Sequence, residues 1–127
     1  MEPFTKQPCV LVVEDEAIVR LNAVSILEDA GYITVEAKDS TDALVELRRN
    51  AAVRILFTDI DMPGGINGLE LAQRVRELRP DVAIIVTSGH NMPLAEDIPK
   101  GGRFISKPYS SQAVTDLVEQ LAQTDQT

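Results

Sequence analysis

Hydrophobic and polar positions follow two different rhythms along this chain, and each rhythm predicts one kind of secondary structure. Continuous or alternating apolar runs predict five short strands, at residues 9–13, 33–36, 55–57, 82–86 and 104–105. Most of these runs are unbroken, which is typical of strands buried on both faces of a sheet. The second run alternates apolar with polar residues, as a half-exposed edge strand does.

Between the predicted strands, apolar residues recur every three or four positions, which predicts amphipathic helices. Gly31 is predicted to close the first helix, and Pro80 to follow the end of the third. Ser40 and Ser110 are predicted to cap the second and the last helix. The apolar positions that define the four helices are Ala17, Leu21, Val24 and Leu27; Ala43, Leu44 and Leu47; Leu71, Val75 and Leu78; and Val114, Leu117, Val118 and Leu121.

The stretch at residues 88–102 differs from the other connections, because prolines and glycines interrupt it. Proline lacks the amide hydrogen that a helix needs, and glycine is a weak helix former. The pattern therefore leaves little room for a stable helix before the last strand.

Strands that alternate with helices predict an α/β domain with a doubly wound five-stranded parallel sheet and helices on both of its faces. Ligands of such sheets bind beyond the carboxyl ends of the strands, near the point where the strand order reverses. Polar residues come directly after four of the predicted strands, and they are Glu14, Asp15, Asp59, Thr87 and Lys107. We therefore expect one site to contain all of them.

Composition and charge narrow the possible classes of protein. The 127 residues suffice for one domain, which we place at 9–123 between a loose leader at 1–8 and a polar tail at 124–127. A net charge of −8 argues against nucleic-acid binding, and no apolar run approaches the ~20 residues that span a membrane. The start of the chain lacks a signal-peptide pattern, and the single Cys9 excludes an internal disulfide. We expect a cytoplasmic protein that binds neither nucleic acid nor membranes.

The acidic residues at the strand ends suit a hard metal ion. Crowded carboxylates raise one another's pKa values unless a cation lies among them. Their oxygens are ligands that Mg²⁺ prefers, and the chain has no cysteine and histidine cluster for zinc. A carboxylate such as Asp59 can attack a phosphoryl group, while Lys107 and the Thr87 hydroxyl stabilise the phosphoryl oxygens. The pattern therefore predicts Mg²⁺-assisted phosphoryl transfer.

Each of these residues also has an ordinary explanation. The acids at 14–16 could serve a helix N-terminus, Asp59 could form an Asx-turn, and Lys107 could be a solvated lysine. His90, the only histidine, is most simply a surface residue. The coincidence of several such residues at one sheet edge favours a functional site over these separate explanations.

Five segments, in their order along the chain, resemble the receiver domain of two-component response regulators. They are residues 12–16, 58–64, 67–71, 85–89 and 104–108, and the likeness covers residues 9–123. The resemblance implies the flavodoxin-like strand order 2-1-3-4-5. It also implies a single-domain, chemotaxis-regulator-like switch of a phosphorelay that is not an enzyme, apart from any removal of its own phosphoryl group.

The resemblance further implies how the phosphoryl group arrives and which residues hold the metal. Asp59 would be the phosphoacceptor, and its donor would be a sensor histidine kinase or a phosphotransfer protein. Asp15 and Asp59 would hold Mg²⁺ directly, and Glu14 would act mainly through water. The backbone carbonyl of Asp61 would complete the protein ligands.

The same resemblance implies how phosphorylation is communicated. Lys107 would contact the phosphoryl oxygens, and the Lys107–Pro108 bond would be cis. Thr87 would move towards the phosphoryl group and Phe104 would swing inward. These movements would reshape the face of the fifth strand and the last helix, to which an unknown downstream protein would bind.

Three features depart from the family's usual pattern. Glu14 stands where aspartate is commoner, and the loop at residues 62–68 is one residue longer than usual. The region before the last strand is short and broken by prolines, so we expect the family's fourth helix to be brief, displaced or mobile. The fifth strand and the last helix are therefore the expected output surface.

Other classes of protein compete with this interpretation. A haloacid-dehalogenase-like phosphatase would use Asp59 and Asp61, but that family places its acidic pair after the first strand. A flavodoxin-like electron carrier would need a hydroxyl-rich loop after the first strand, where this chain has Glu14 and Asp15. The chain could also be the receiver fragment of a larger regulator.

Overall fold

The computed structural model describes residues 8–62, 65–90 and 92–124, with only the backbone of Thr124. Strands and α-helices alternate along this part of the chain. The strands are β1 (Cys9–Val13), β2 (Ile33–Ala37), β3 (Val53–Asp59), β4 (Ala83–Ser88) and β5 (Arg103–Ser106). The helices are α1 (Ala17–Asp29), α2 (Ser40–Arg49), α3 (Gly68–Leu78) and α4 (Ser111–Thr124), with a 3₁₀ helix at Ala95–Asp97. Residues 1–7 of the predicted leader and 125–127 of the predicted tail lie outside the described residues.

The five strands form one parallel sheet in the order β2-β1-β3-β4-β5, which confirms the predicted order. The order reverses between β1 and β3, where a doubly wound sheet binds its ligands. The strand register aligns the carboxyl ends at this place, since Val13 pairs with Thr58 and Asp59 pairs with Thr87. The side chains at these strand ends therefore emerge at one edge of the sheet.

The core lies on both faces of the sheet, as the unbroken apolar runs predict. Successive side chains of a strand point to opposite faces, and all five residues of β1 are buried. Val10 and Val12 pack with α1 and α4, whereas Leu11 and Val13 pack with α2 and α3. The sheet is thus a rigid platform for the loops that follow its strands.

The predicted helix ends are partly confirmed. Gly31 follows α1 with a φ of 97°, a conformation that favours glycine, and so closes the helix as expected. The Ser110 hydroxyl accepts a backbone amide in the first turn of α4 at 3.0 Å, which confirms that cap. The cap predicted at Ser40 is wrong, because Asp39 is the N-cap and its carboxylate accepts the Asp42 amide at 2.8 Å. Both residue types cap helices well, so their adjacency made the choice ambiguous.

The core-facing side of α1 differs from the predicted one. Val24 and Leu27 are buried as expected, but Ala17 is exposed and Leu21 is 55% exposed. Ile18, in the first turn, is 82% exposed. The helix is apolar on nearly every side, so the spacing of its apolar residues does not define a unique face. As a result α1 leaves apolar side chains in solvent.

The connection between β4 and β5 contains only the short 3₁₀ helix Ala95–Asp97 among its described residues, as the proline-broken sequence predicts. Two side chains of α3 bind its backbone. Gln73 Nε2 donates to the Asp97 carbonyl at 3.3 Å, and an Arg76 guanidinium nitrogen donates to the Lys100 carbonyl at 3.1 Å. In the described part of the chain, no helix is both long and apolar enough to cross a membrane.

Candidate functional site

The carboxyl ends of β1, β3, β4 and β5 bring the predicted site residues together. Asp59 is the last residue of β3 and pairs with Thr87 of β4, while Glu14 follows β1 and Lys107 follows β5. A cavity of about 320 Å³ opens here. Its lining residues are Glu14, Asp15, Glu16, Asp59, Asp61, Gly89, His90 and Lys107.

Three carboxylates form an acidic cluster in this cavity. One oxygen from each of Glu14, Asp15 and Asp59 lies within 4.8 Å of the other two. Glu14 and Asp59 are buried, whereas Asp15 is exposed to solvent. Such hard oxygen donors, partly open to water, suit Mg²⁺ because this ion keeps several of its own water ligands. The residues present therefore fit the predicted metal.

Lys107 lies between the two buried carboxylates. Its Nζ donates a hydrogen bond to Glu14 Oε1 at 2.8 Å and lies 3.3 Å from Asp59 Oδ1, an ion-pair contact. Burial raises the pKa of both carboxyl groups, and the lysine opposes this rise by stabilising their charged forms. Burial by itself would lower the Lys107 pKa, but the two carboxylates shift that pKa upward. The lysine is thus a cation held in place by the acids that it neutralises.

The buried Thr87 Oγ1 lacks a hydrogen-bond partner among the described residues, and Asp59 Oδ1 has only its 3.3 Å ion-pair contact with Lys107. Both residues are nearly inaccessible to solvent, at 1% and 3% exposed. Buried polar groups in folded proteins are almost always satisfied, so the unpartnered Thr87 hydroxyl beside the Asp59 carboxylate indicates a place for a ligand. A ligand with several acceptor oxygens would accept from the hydroxyl and would contact Lys107 too.

The loop after β3 is held close to Asp59 by the start of α3. Gly68 is in contact with the Asp59 backbone carbonyl, and a β-carbon at Gly68 would overlap that oxygen. Asn67 caps α3 and exchanges hydrogen bonds with Glu70 in a capping box. The capping box and the Gly68 contact therefore hold the start of α3 against the backbone of Asp59.

Asp61 and Phe104, for which the sequence predicts a metal-ligand and a switch role, lie in the loop after β3 and in β5. Asp61 lines the cavity, and its carboxylate accepts a hydrogen bond from the Ser88 hydroxyl at 2.8 Å. Phe104 is in β5, paired with Val86, and is half-buried against the core that contains α2 and α3. The Lys107–Pro108 peptide bond is cis, as expected.

An apolar groove beside the acidic cavity was not predicted from the sequence. Its volume is about 600 Å³, and it shares Gly89 and Lys107 with the cavity. Its other lining residues are Ile18, Val19, Asn22, Pro108 and Tyr109. Two apolar residues in the first turn of α1, Ile18 and Val19, could have indicated the groove from the sequence. The sequence analysis did not use them, because it placed the buried face of α1 at other positions. His90 is exposed, as predicted, yet it lines the cavity.

Comparison with known proteins places the chain among signalling proteins. It matches the family described as "Response regulator receiver domain" over residues 10–119. It is 32% identical over 119 residues to the nitrogen assimilation regulatory protein NtrX of Azorhizobium caulinodans, across 91% of this chain and 26% of NtrX. It is 30% identical over 115 residues to the response regulator receiver protein CpdR of Brucella abortus, across 88% of this chain and 94% of CpdR.

Solved structures agree with these sequence matches. The receiver domain of the hybrid histidine kinase CckA superposes with a TM-score of 0.79 and 30% identity, covering 91% of this chain and 99% of that domain. The present chain spans about a quarter of NtrX but nearly all of CpdR. The similarity therefore lies in the receiver unit that these proteins share.

Proposed function

This chain belongs to the response regulator receiver domain family, and on that premise we propose that Asp59 is its phosphoacceptor. Receiver domains act in phosphorelay signalling, where they interact with histidine kinases or phosphotransfer proteins. The observation that carries the proposal is the buried Asp59 carboxylate, which lines the cavity with its Oδ1 3.3 Å from Lys107 Nζ. A carboxylate can attack phosphorus as the nucleophile, and the neighbouring ammonium group stabilises the charge on the phosphoryl oxygens.

The proposed transfer uses groups that the fold already holds in place. An Asp59 oxygen bonds to the phosphorus of a phosphohistidine, the phosphorus–nitrogen bond breaks, and the electron pair stays on the donor's imidazole. Lys107 Nζ, 3.3 Å from Asp59 Oδ1, stabilises the negative charge on the phosphoryl oxygens. The unpartnered Thr87 hydroxyl donates to one of those oxygens. Positioned donors of this kind lower the barrier because they need little reorganisation.

The acidic cluster supports a Mg²⁺ site that assists this transfer. Bound there, Mg²⁺ would neutralise charge on the phosphoryl oxygens. We assign its protein ligands to Asp15, Asp59 and the backbone carbonyl of Asp61. Glu14 would act through a water ligand of the ion, since its Oε1 already accepts the Lys107 hydrogen bond at 2.8 Å.

The apolar groove is the surface that we assign to the phosphoryl donor. A donor must bring its phosphohistidine across the rim of the cavity, and the groove shares Gly89 and Lys107 with that rim. Ile18 of this groove is 82% exposed, and Leu21 of α1, outside the groove, adds apolar surface that is 55% exposed. Exposed apolar patches of this kind are typical of protein contact sites.

The output is assigned to the face of β5 and α4, as the sequence predicted. A Thr87 hydroxyl drawn to the phosphoryl group would shift the end of β4, and Phe104 of the paired strand β5 would follow. The chain is thus proposed to be a switch rather than an enzyme. Its cytoplasmic location and its lack of nucleic-acid and membrane partners stay predictions.

Phosphorylation of the purified protein tests the proposal. We expect acetyl phosphate with MgCl₂ to add one phosphoryl group, measured by intact mass, and Asp59→Asn to abolish the addition. Asp29→Asn, on the exposed last turn of α1, is the matched control and should be labelled like the parent protein. Labelling that persists in Asp59→Asn would contradict the assignment.

The competing enzyme classes are not favoured. A haloacid-dehalogenase-like phosphatase would use Asp59 and Asp61, but the match over residues 10–119 is to a receiver domain. A flavodoxin-like electron carrier has the same strand order as a receiver domain, so the fold by itself does not distinguish these two classes. The acidic cluster does, because Glu14 and Asp15 would repel a flavin phosphate at the end of β1.

A further inference from the structure

Ser88 connects three segments that surround the acidic cavity. Its hydroxyl donates to Asp61 Oδ2 at 2.8 Å in the loop after β3, and accepts the His90 amide at 3.2 Å in the loop after β4. Its carbonyl accepts the Lys107 amide at 3.0 Å. The residue is 4% exposed and is the last of β4, so it is fixed by the sheet.

Asp61 is held by a local contact and by a longer-range one, namely a backbone hydrogen bond to the Asp59 carboxylate and the hydrogen bond from Ser88. It is exposed and lies beyond the end of β3, in a loop that includes Gly65 at a φ of 61°. Ordering backbone that lies outside regular secondary structure costs conformational entropy, which side-chain contacts can offset. The hydrogen bond from Ser88, at the end of β4, to the Asp61 side chain therefore restrains Asp61.

We propose that Ser88 is a positioning residue of the metal site. Its hydrogen bond restrains Asp61, so that less ordering of this residue would be needed when its backbone carbonyl binds Mg²⁺. The inference rests on the proposed function, which makes that carbonyl a ligand. Groups that orient metal ligands from outside the coordination sphere strengthen metal binding in this way, because less ordering is left for the binding step.

Mg²⁺ affinity of the unphosphorylated protein tests this inference. We expect Ser88→Ala to weaken Mg²⁺ binding by about three- to tenfold, at or below the lower end of the range for outer-sphere groups. Binding is followed by amide chemical shifts during a MgCl₂ titration at constant ionic strength. Thermal unfolding in EDTA confirms that each variant is folded.

Ser40 offers a matched control. It is also 4% exposed, and its hydroxyl also makes a 2.8 Å hydrogen bond to the loop after β3, but to the Ile66 carbonyl instead of Asp61. Ser40→Ala should bind Mg²⁺ as the parent protein does. Equal weakening in both variants would overturn the inference, since the effect would then be a general loosening of the loop.

A double-mutant cycle tests whether Ser88 acts through Asp61. In an Asp61→Ala background, which keeps the backbone carbonyl, Ser88→Ala should change the affinity by less than about twofold. An undiminished effect in that background would overturn the inference, as would unchanged affinity in Ser88→Ala itself. A parent protein that does not bind Mg²⁺ would instead contradict the metal site of the proposed function, on which this inference depends.

Discussion

Two buried threonines near the carboxyl ends of β3 and β4 use their hydroxyl groups differently. The Thr58 hydroxyl donates to the Asp59 carbonyl at 2.9 Å, whereas the Thr87 hydroxyl has no partner among the described residues. Both residues are almost completely buried, at 0% and 1% exposed. An unsatisfied buried hydroxyl costs free energy, so its presence is explained better by a ligand than by the stability of the fold.

This difference predicts opposite responses to the same substitution. We expect Thr87→Val to leave the free energy of unfolding unchanged or to raise it by up to ~1 kcal/mol, since no hydrogen bond is lost. Thr58→Val, the matched control, should lower it by about 0.5–1.5 kcal/mol. Urea denaturation without Mg²⁺ measures both. A loss in Thr87→Val as large as that in Thr58→Val would show that the Thr87 hydroxyl has a structural partner.

At the scale of elements, the site depends on the close contact between the start of α3 and the end of β3. The Gly68 amide donates to the Ile60 carbonyl at 3.0 Å, and Gly68 is also in contact with the Asp59 backbone. Asn67 and Glu70 hold this helix start through their capping box. The contact is tight because it involves backbone on both sides, which cannot move aside as a flexible side chain can.

Gly68→Ala should therefore disturb both stability and function. We expect the free energy of unfolding to fall by about 1–3 kcal/mol, because the new methyl group must displace α3 from β3, and phosphorylation of Asp59 to slow. A β-carbon at Gly89 would lie 3.6 Å from the Lys107 β-carbon, an ordinary contact. Gly89→Ala, the control, should stay within about 0.5 kcal/mol of the parent protein in urea denaturation. Equal stability of all three proteins would show that the backbones can separate at little cost.

At the scale of the whole molecule, the acidic cluster opposes folding when no cation is bound. The chain carries a net charge of −8 and places two buried carboxylates beside an exposed third. Lys107 offsets part of this repulsion, yet the pKa values of Asp59 and Glu14 are still raised by their burial. The buried carboxylates therefore lower the stability of the cation-free protein, and they also form the site to which a cation can bind.

The raised Asp59 pKa predicts a pH-dependent stability without metal. The folded protein binds a proton more tightly than the unfolded chain, so stability increases as the pH falls through the raised pKa. We expect Asp59→Asn in EDTA to be about 0.5–2 kcal/mol more stable than the parent at pH 7, with the advantage shrinking towards the ordinary aspartate range. MgCl₂ should reverse the order, because the ion stabilises only the protein that binds it.

Urea denaturation over a pH series, with and without MgCl₂, measures this effect. Asp29→Asn provides the control for removing one acidic charge from the surface, and its stability should follow the parent at every pH. A parent protein more stable than Asp59→Asn in EDTA at pH 7 would contradict the electrostatic account of the cluster.

The sequence by itself was sufficient for the alternation of strands and helices and for the polar residues at the strand ends. Both depend on local properties, namely the period of apolar positions and the residues that follow each run. Because parallel strands bring their carboxyl ends to one edge, the predicted grouping of Glu14, Asp59 and Lys107 followed without any contact being known. The strand order needed the family resemblance.

Other features were decided by the tertiary structure, because they depend on contacts between residues far apart in the chain. Lys107 and Glu14 are 93 positions apart, and the length and direction of their hydrogen bond depend on how four strands pack. The exposed face of α1 and the apolar groove depend on which side of an apolar helix meets the sheet. The unpartnered Thr87 hydroxyl and the Ser88 hydrogen bond to Asp61 follow from the same packing, since only a folded core determines which buried atoms have a partner.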